Sequence, residues 1–221
     1  MTIKQSDIRL QVDGKPIAAY MAEPANGGPG VLVLHAWWGL KPFFKQLCDR
    51  LAGQGFVALA PDLRNGQIAE TIEAAKELME HSDDALAEKI VVAARNHLLA
   101  LSKTKPVGVM GFSMGAYWAM LTAAEAGEKV GAAVLYYGAA SVDFTRVRAG
   151  ILGHFAETDE WEPMDGVRGM EKDMKAAGLD VTLHVYPGVS HWFVEEDRPE
   201  YDPAAAALAW ERTLAFLKKK L

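Results

Sequence analysis

The chain has one cysteine, no basic cluster apart from three lysines near its end, and no apolar run approaching the roughly 20 residues that span a bilayer. Each absence removes a class of explanation. Cys48 alone cannot form an internal disulfide, so the fold does not draw on an oxidising compartment. Beside Leu47 and Leu51 in a helical stretch (43–54), it reads as a small buried residue. The N-terminal residues alternate polar and apolar and lack the apolar core of a signal peptide, so a cytoplasmic protein is expected. The formal charge of -6 would repel a phosphate backbone, and Lys218, Lys219 and Lys220 read as a solvated helix end. Neither nucleic acid nor a membrane is an expected partner. No repeat, low-complexity tract or linker divides the chain.

What is present has the balance of an ordinary globular protein. Half of the 221 residues are hydrophobic and 24% are charged, which suits a single domain over residues 1–221 with a substantial core. Residues 7–12 and 17–22, joined by Asp13-Gly14, read as a hairpin. After a Pro/Gly-rich loop the pattern changes. Val31 to Leu34 is a continuous apolar run, as expected of a strand buried on both faces. Strands at 56–60, 107–110, 130–137, 150–155 and 179–186 then alternate with helical stretches. The helical pattern at 70–101 breaks near residues 81–83, with Ser82 as the candidate cap, and Asp202-Pro203 starts a final helix. Such alternation predicts an α/β fold: a mostly parallel sheet entered by an antiparallel hairpin, with helices on both faces. The short span from 137 to 150 leaves no room for a helical cap domain.

One motif carries chemistry. Gly111-Phe112-Ser113-Met114-Gly115 follows the buried strand Val107-Gly108-Val109-Met110 and opens an Ala-rich helix. A serine hydroxyl is a poor nucleophile unless it is exposed and within reach of a base. A sharp strand-to-helix turn exposes it, and the flanking glycines remove side chains that would collide. This is the nucleophile turn of the α/β-hydrolase fold, in which an acid and then a histidine follow the serine in the chain. Three histidines follow Ser113. His154 lies inside an apolar strand and His184 alternates with Leu183 and Val185, so both read as structural. His191 sits in a loop after the last strand and is the candidate base. Asp159, Glu157 and Asp165 are the candidate acids, and spacing does not separate Asp159 from Glu157. The oxyanion hole is expected from two backbone N–H groups, one on Met114 and one on Trp37 in the loop after residues 31–34.

These residues resemble the dienelactone hydrolase family. The match runs from Pro29 to the final helix through Trp38-Gly39-Leu40, Pro61-Asp62-Leu63, the Ser113 motif, Gly153 to Asp159, Tyr186-Pro187-Gly188 with His191 and Phe193, and Pro199-x-Tyr201. The resemblance implies a small α/β-hydrolase without a cap and places the acid at Asp159. It departs in three places. The type enzymes have a cysteine where this chain has Ser113, and a glutamate near that thiol where it has Ala36. They also carry a carboxylate-binding arginine four residues after the base, where Glu195 stands here and is expected to repel such a group. A small neutral ester or lactone is therefore the expected substrate.

Trp38, Tyr137, Trp161, Trp192 and Phe193 are the candidate pocket residues. No cofactor or metal is expected; the acidic stretch 157–160 lacks a calcium-loop spacing. The expected activity is ester hydrolysis through an acyl-Ser113 enzyme, in a monomer or homodimer. Thioester or amide hydrolysis by the same groups, and non-catalytic binding of a small ligand, are the alternatives.

Overall fold

The computed structural model describes residues 2–221, and the chain forms two compact units, Met1–Val107 and Gly108–Leu221. The first opens with a hairpin of β1 (Ile3–Val12) and β2 (Lys15–Pro24). Asp13 and Gly14 both take positive φ, 49° and 76°. Two such residues in a row make a turn whose twist matches paired strands, and Asp and Gly tolerate it best. Pairing continues outward to Ile3 and Pro24, beyond the expected limits. Lys4 and Gln5 there are exposed, and polar side chains give no apolar alternation to detect.

β2 pairs antiparallel with β4 (Val57–Pro61), which pairs parallel with β3 (Gly30–Leu34), giving the order β1-β2-β4-β3. Every residue of β3 and β4 is buried, which is why both read as unbroken apolar runs. Helices α1 (Pro42–Gly53), α2 (Ile72–Glu80) and α3 (Asp84–Leu101) complete this unit. The break between α2 and α3 falls where expected, but Asp83 is the cap, accepting from the Leu86 N–H at 2.9 Å. Ser82 instead donates its hydroxyl to Asp84. Cys48 on α1 is fully buried, and burial pushes its thiol up.

In the second unit the strands run in the order β5 (Val107–Phe112), β6 (Val130–Tyr136), β7 (Gly150–Ala156), β8 (Val181–Tyr186). β6, β7 and β8 are parallel. Helix α4 (Met114–Ala126) packs on β6, α5 (Met164–Ala176) on β8, and α6 (Pro203–Lys220) on β6 and β7. Asp202 caps α6 by accepting from the Ala205 N–H at 2.7 Å, with Pro203 in the first turn. The expected helix end is helical to Lys220, with Lys218 and Lys219 exposed and Lys220 paired with Asp180 at 2.7 Å. The mixed α/β architecture, mostly parallel after an antiparallel N-terminal pair, is thus the one expected. Among the described residues no helix is long and apolar enough to cross a membrane.

Two buried histidines are structural. His35 follows β3, accepts from the Leu63 N–H at 3.0 Å through Nε2, and is lowered to about 4, chiefly by loss of solvent. His154 on β7 lies 2.8 Å from the Tyr186 hydroxyl and 2.9 Å from that of Thr213. Thr213 in turn meets the Tyr136 hydroxyl at 2.7 Å, so one fully buried ring joins β6, β7, β8 and α6. Burial holds His154 well below the ordinary imidazole range.

Both imidazoles stay neutral in the folded protein, whereas the unfolded chain takes up protons near pH 6.5. Below that pH the unfolded state binds more protons, so the contribution is complete above about pH 7 and is lost toward the lowered folded values. The thermal midpoint should therefore fall between pH 7 and pH 5; a flat profile would contradict the assignment. Thr213→Val, which strips partners from His154 and Tyr136, should cost about 2 kcal/mol by denaturant titration at pH 7.

Candidate active site

Three of the expected residues meet within the second unit. Ser113 stands between β5 and α4 with φ 50° and ψ -115°, in a region that a side chain rarely adopts. The turn is pinned from several sides. The Ser113 N–H donates to the Tyr136 carbonyl at 2.9 Å, and its carbonyl accepts from the Ala116 N–H at 2.8 Å. A Cβ at Gly111 would stand 2.0 Å from the Gly115 carbonyl oxygen, so no larger residue fits there. A Cβ at Gly138 would stand 2.5 Å from the Ser113 carbonyl oxygen.

His191 lies in the loop after β8. Its Nε2 is 3.0 Å from Ser113 Oγ and its Nδ1 is 2.7 Å from Asp159 Oδ2. A carboxylate only accepts, so a neutral imidazole carries its proton on Nδ1 and turns the Nε2 lone pair to the serine hydroxyl. The other oxygen of Asp159 accepts from the Trp161 and Glu162 N–H groups, each at 2.9 Å. Those bonds fix the carboxylate, whose side chain is 1% exposed. The runner-up, Glu157, is turned away and accepts from the Gly188 N–H at 3.0 Å. Asp165 lies in the first turn of α5.

Met114 is the first residue of α4, so its N–H lies at the N-terminal end of that helix. Trp37 and Trp38 belong to the first unit, on the turn after β3. Their rings meet edge to face at 5.3 Å, and Trp38 is fully buried, its carbonyl accepting from the Ala69 N–H at 3.0 Å. Of the five rings expected to line a pocket, only Trp161 is partly exposed. Trp38, Tyr137 and Phe193 have no exposed surface, and Trp192 is 2% exposed. In this structure the four covered rings contribute packing area.

Glu195 is also placed differently from expectation. Its side chain is fully buried and accepts from the Tyr137 hydroxyl at 2.7 Å, so it is not presented to a substrate carboxylate. A further carboxylate went undetected in the pattern. Glu162 accepts from the Ala139 N–H at 2.7 Å, beside Gly138. Burial raises its carboxyl, and the Asp159 charge adds to that shift.

Comparison with known proteins places the chain in a family. The model of the dienelactone hydrolase family matches residues 17–221. A protein of Aquifex pyrophilus called usf is 36% identical over 226 residues, covering 97% of this chain and 98% of its own. A protein of Aquifex aeolicus named as a carboxymethylenebutenolidase is 35% identical, with the same coverage of both chains. Among solved structures, one from Klebsiella pneumoniae named as a dienelactone hydrolase superposes with a TM-score of 0.89 at 25% identity, covering 99% of this chain and 100% of that one. The architecture is accordingly the α/β-hydrolase fold, and the chain belongs to the dienelactone hydrolase family.

Proposed function

We propose that the chain hydrolyses small carboxylic esters or lactones through an acyl intermediate on Ser113. The observation that carries this is the unbroken relay from Asp159 Oδ2 to His191 Nδ1 at 2.7 Å and from His191 Nε2 to Ser113 Oγ at 3.0 Å. The name carboxymethylenebutenolidase carried by a 35%-identical relative supports the same bond class.

In this reading Ser113 Oγ attacks the acyl carbon while His191 Nε2 takes its proton. Asp159, already bonded to Nδ1, stabilises the imidazolium and keeps the ring in register. Charge collects on the former carbonyl oxygen. The Met114 N–H and the start of α4, a 13-residue helix, supply partial positive charge there. The expected second donor, Trp37, lies in the first unit, and the steps here use groups of the second unit alone. His191 then protonates the leaving alkoxide, which departs; in a lactone it stays tethered to the acyl group. Water enters, His191 removes a proton from it, and attack on the acyl carbon releases the acid and restores the Ser113 hydroxyl. No further group is required for either half.

A fluorophosphonate probe should label intact protein at Ser113 and leave Ser113→Ala unlabelled, as read by peptide mass spectrometry. Unlabelled native protein would sink the proposal. On a nitrophenyl acetate substrate, His191→Ala and Asp159→Asn should each lower kcat by about 10³-fold or more. Their unfolding midpoints should stay within a few degrees of the parent.

A further inference from the structure

The relay leaves a buried pair beside it without a task. Tyr137 is the first residue after β6 and takes φ 38°, a conformation that large side chains avoid. Its N–H donates to the His154 carbonyl at 2.8 Å, which draws the backbone across toward β7. The side chain then runs beneath the relay. Its ring centre is 4.8 Å from that of His191, tilted by 56°, and 5.7 Å from that of Phe193. The hydroxyl donates to Glu195 Oε1 at 2.7 Å, and both residues are fully buried. Burial and the neighbouring carboxylate push the phenol well up, so it stays a donor.

Glu195 closes the turn that begins at His191, its N–H donating to the Trp192 carbonyl at 2.9 Å. Trp192 between them has φ 65°, and its ring meets the His191 ring edge to face at 4.7 Å. A buried carboxylate is costly to keep away from water, and an apolar residue of similar volume would avoid that cost. The Tyr137 hydroxyl is committed to Glu195 and not to the relay. What they do touch is the imidazole face and the chain that carries it.

That face needs a wall. The hydrogen bond at Nδ1 sets a distance, while rotation about the His191 side-chain bonds is limited by the rings packed on it, Tyr137 at 4.8 Å and Trp192 at 4.7 Å. A small swing would carry Nε2 out of reach of Ser113 Oγ. We propose that Tyr137 and Glu195 are a positioning pair: Glu195 clamps the Tyr137 ring beneath His191, and the ring keeps Nε2 aimed at Ser113. The clamp joins the end of β6 to the His191 turn, so two segments far apart in the chain move together. This rests on His191 being the base of the proposed hydrolase.

The test measures kcat and KM on nitrophenyl acetate, per site counted by fluorophosphonate labelling, in protein shown to be folded by its thermal midpoint. Native protein that does not label defeats the hydrolase reading, and the clamp that rests on it falls with it. In native protein that labels, Glu195→Gln keeps an oxygen to accept from Tyr137 and should stay within about threefold of native kcat. Glu195→Leu should lose about tenfold or more in kcat per site, with KM unchanged within about twofold. Should Glu195→Leu not fold, Tyr137→Phe/Glu195→Leu removes both polar groups and preserves volume, and the same kcat loss is expected. A folded variant of either kind with native kcat per site, a loss confined to KM, or a Glu195→Gln enzyme as impaired as Glu195→Leu would overturn the proposal.

Discussion

The second unit depends on one backbone contortion, the left-handed turn at Ser113. Such a conformation costs on the order of 1–3 kcal/mol and persists only where its surroundings over-determine it. Here they do. The end of β6 accepts its N–H, α4 returns a hydrogen bond to its carbonyl, and glycines at 111 and 138 let backbone approach from two sides. Two more large residues near the same imidazole, Tyr137 and Trp192, share the left-handed geometry. Strain is therefore concentrated around His191 and offset by the packing of the strands beneath it.

His154 and His191 show how surroundings set one residue type in two different hydrogen-bonding environments. His154 has hydroxyls for partners, from Tyr186 and Thr213. Those groups hold a neutral ring but do little for a charged one, and burial without a carboxylate keeps the proton off. His191 instead has a carboxylate, that of Asp159, against Nδ1, where His154 meets a hydroxyl. The same logic sorts the acids. Asp159 is held by two backbone N–H groups in position to face the ring, while Glu157, two residues earlier, is spent on the turn at Gly188.

Much of this was legible in the residues. The apolar runs at 31–34 and 107–110 marked buried strands because both faces of such strands are covered, and Gly-x-Ser-x-Gly between a strand and a helix marked the sharp turn. The order of serine, acid and histidine pointed to His191, which does lie against Ser113. What could not be read were facts of burial and side-chain direction. A carboxylate four residues past the base looks the same on paper whether it faces a ligand or a tyrosine, and Glu195 turned inward. Aromatic rings clustered near a site suggest a pocket, yet Trp38, Tyr137 and Phe193 are fully covered. Asp83 displaced Ser82 as a cap because both are good caps and only the local path of the chain decides between them.

Cys48 gives the molecule a chemical simplicity of its own. The one sulfhydryl in the protein is sealed inside the first unit and held in its protonated, unreactive form. Oxidants, alkylating reagents and stray disulfide partners thus find no cysteine to attack while the fold is intact. Exposure of that group to a thiol reagent would therefore report loss of the native state, an internal alarm built into the core of the first unit.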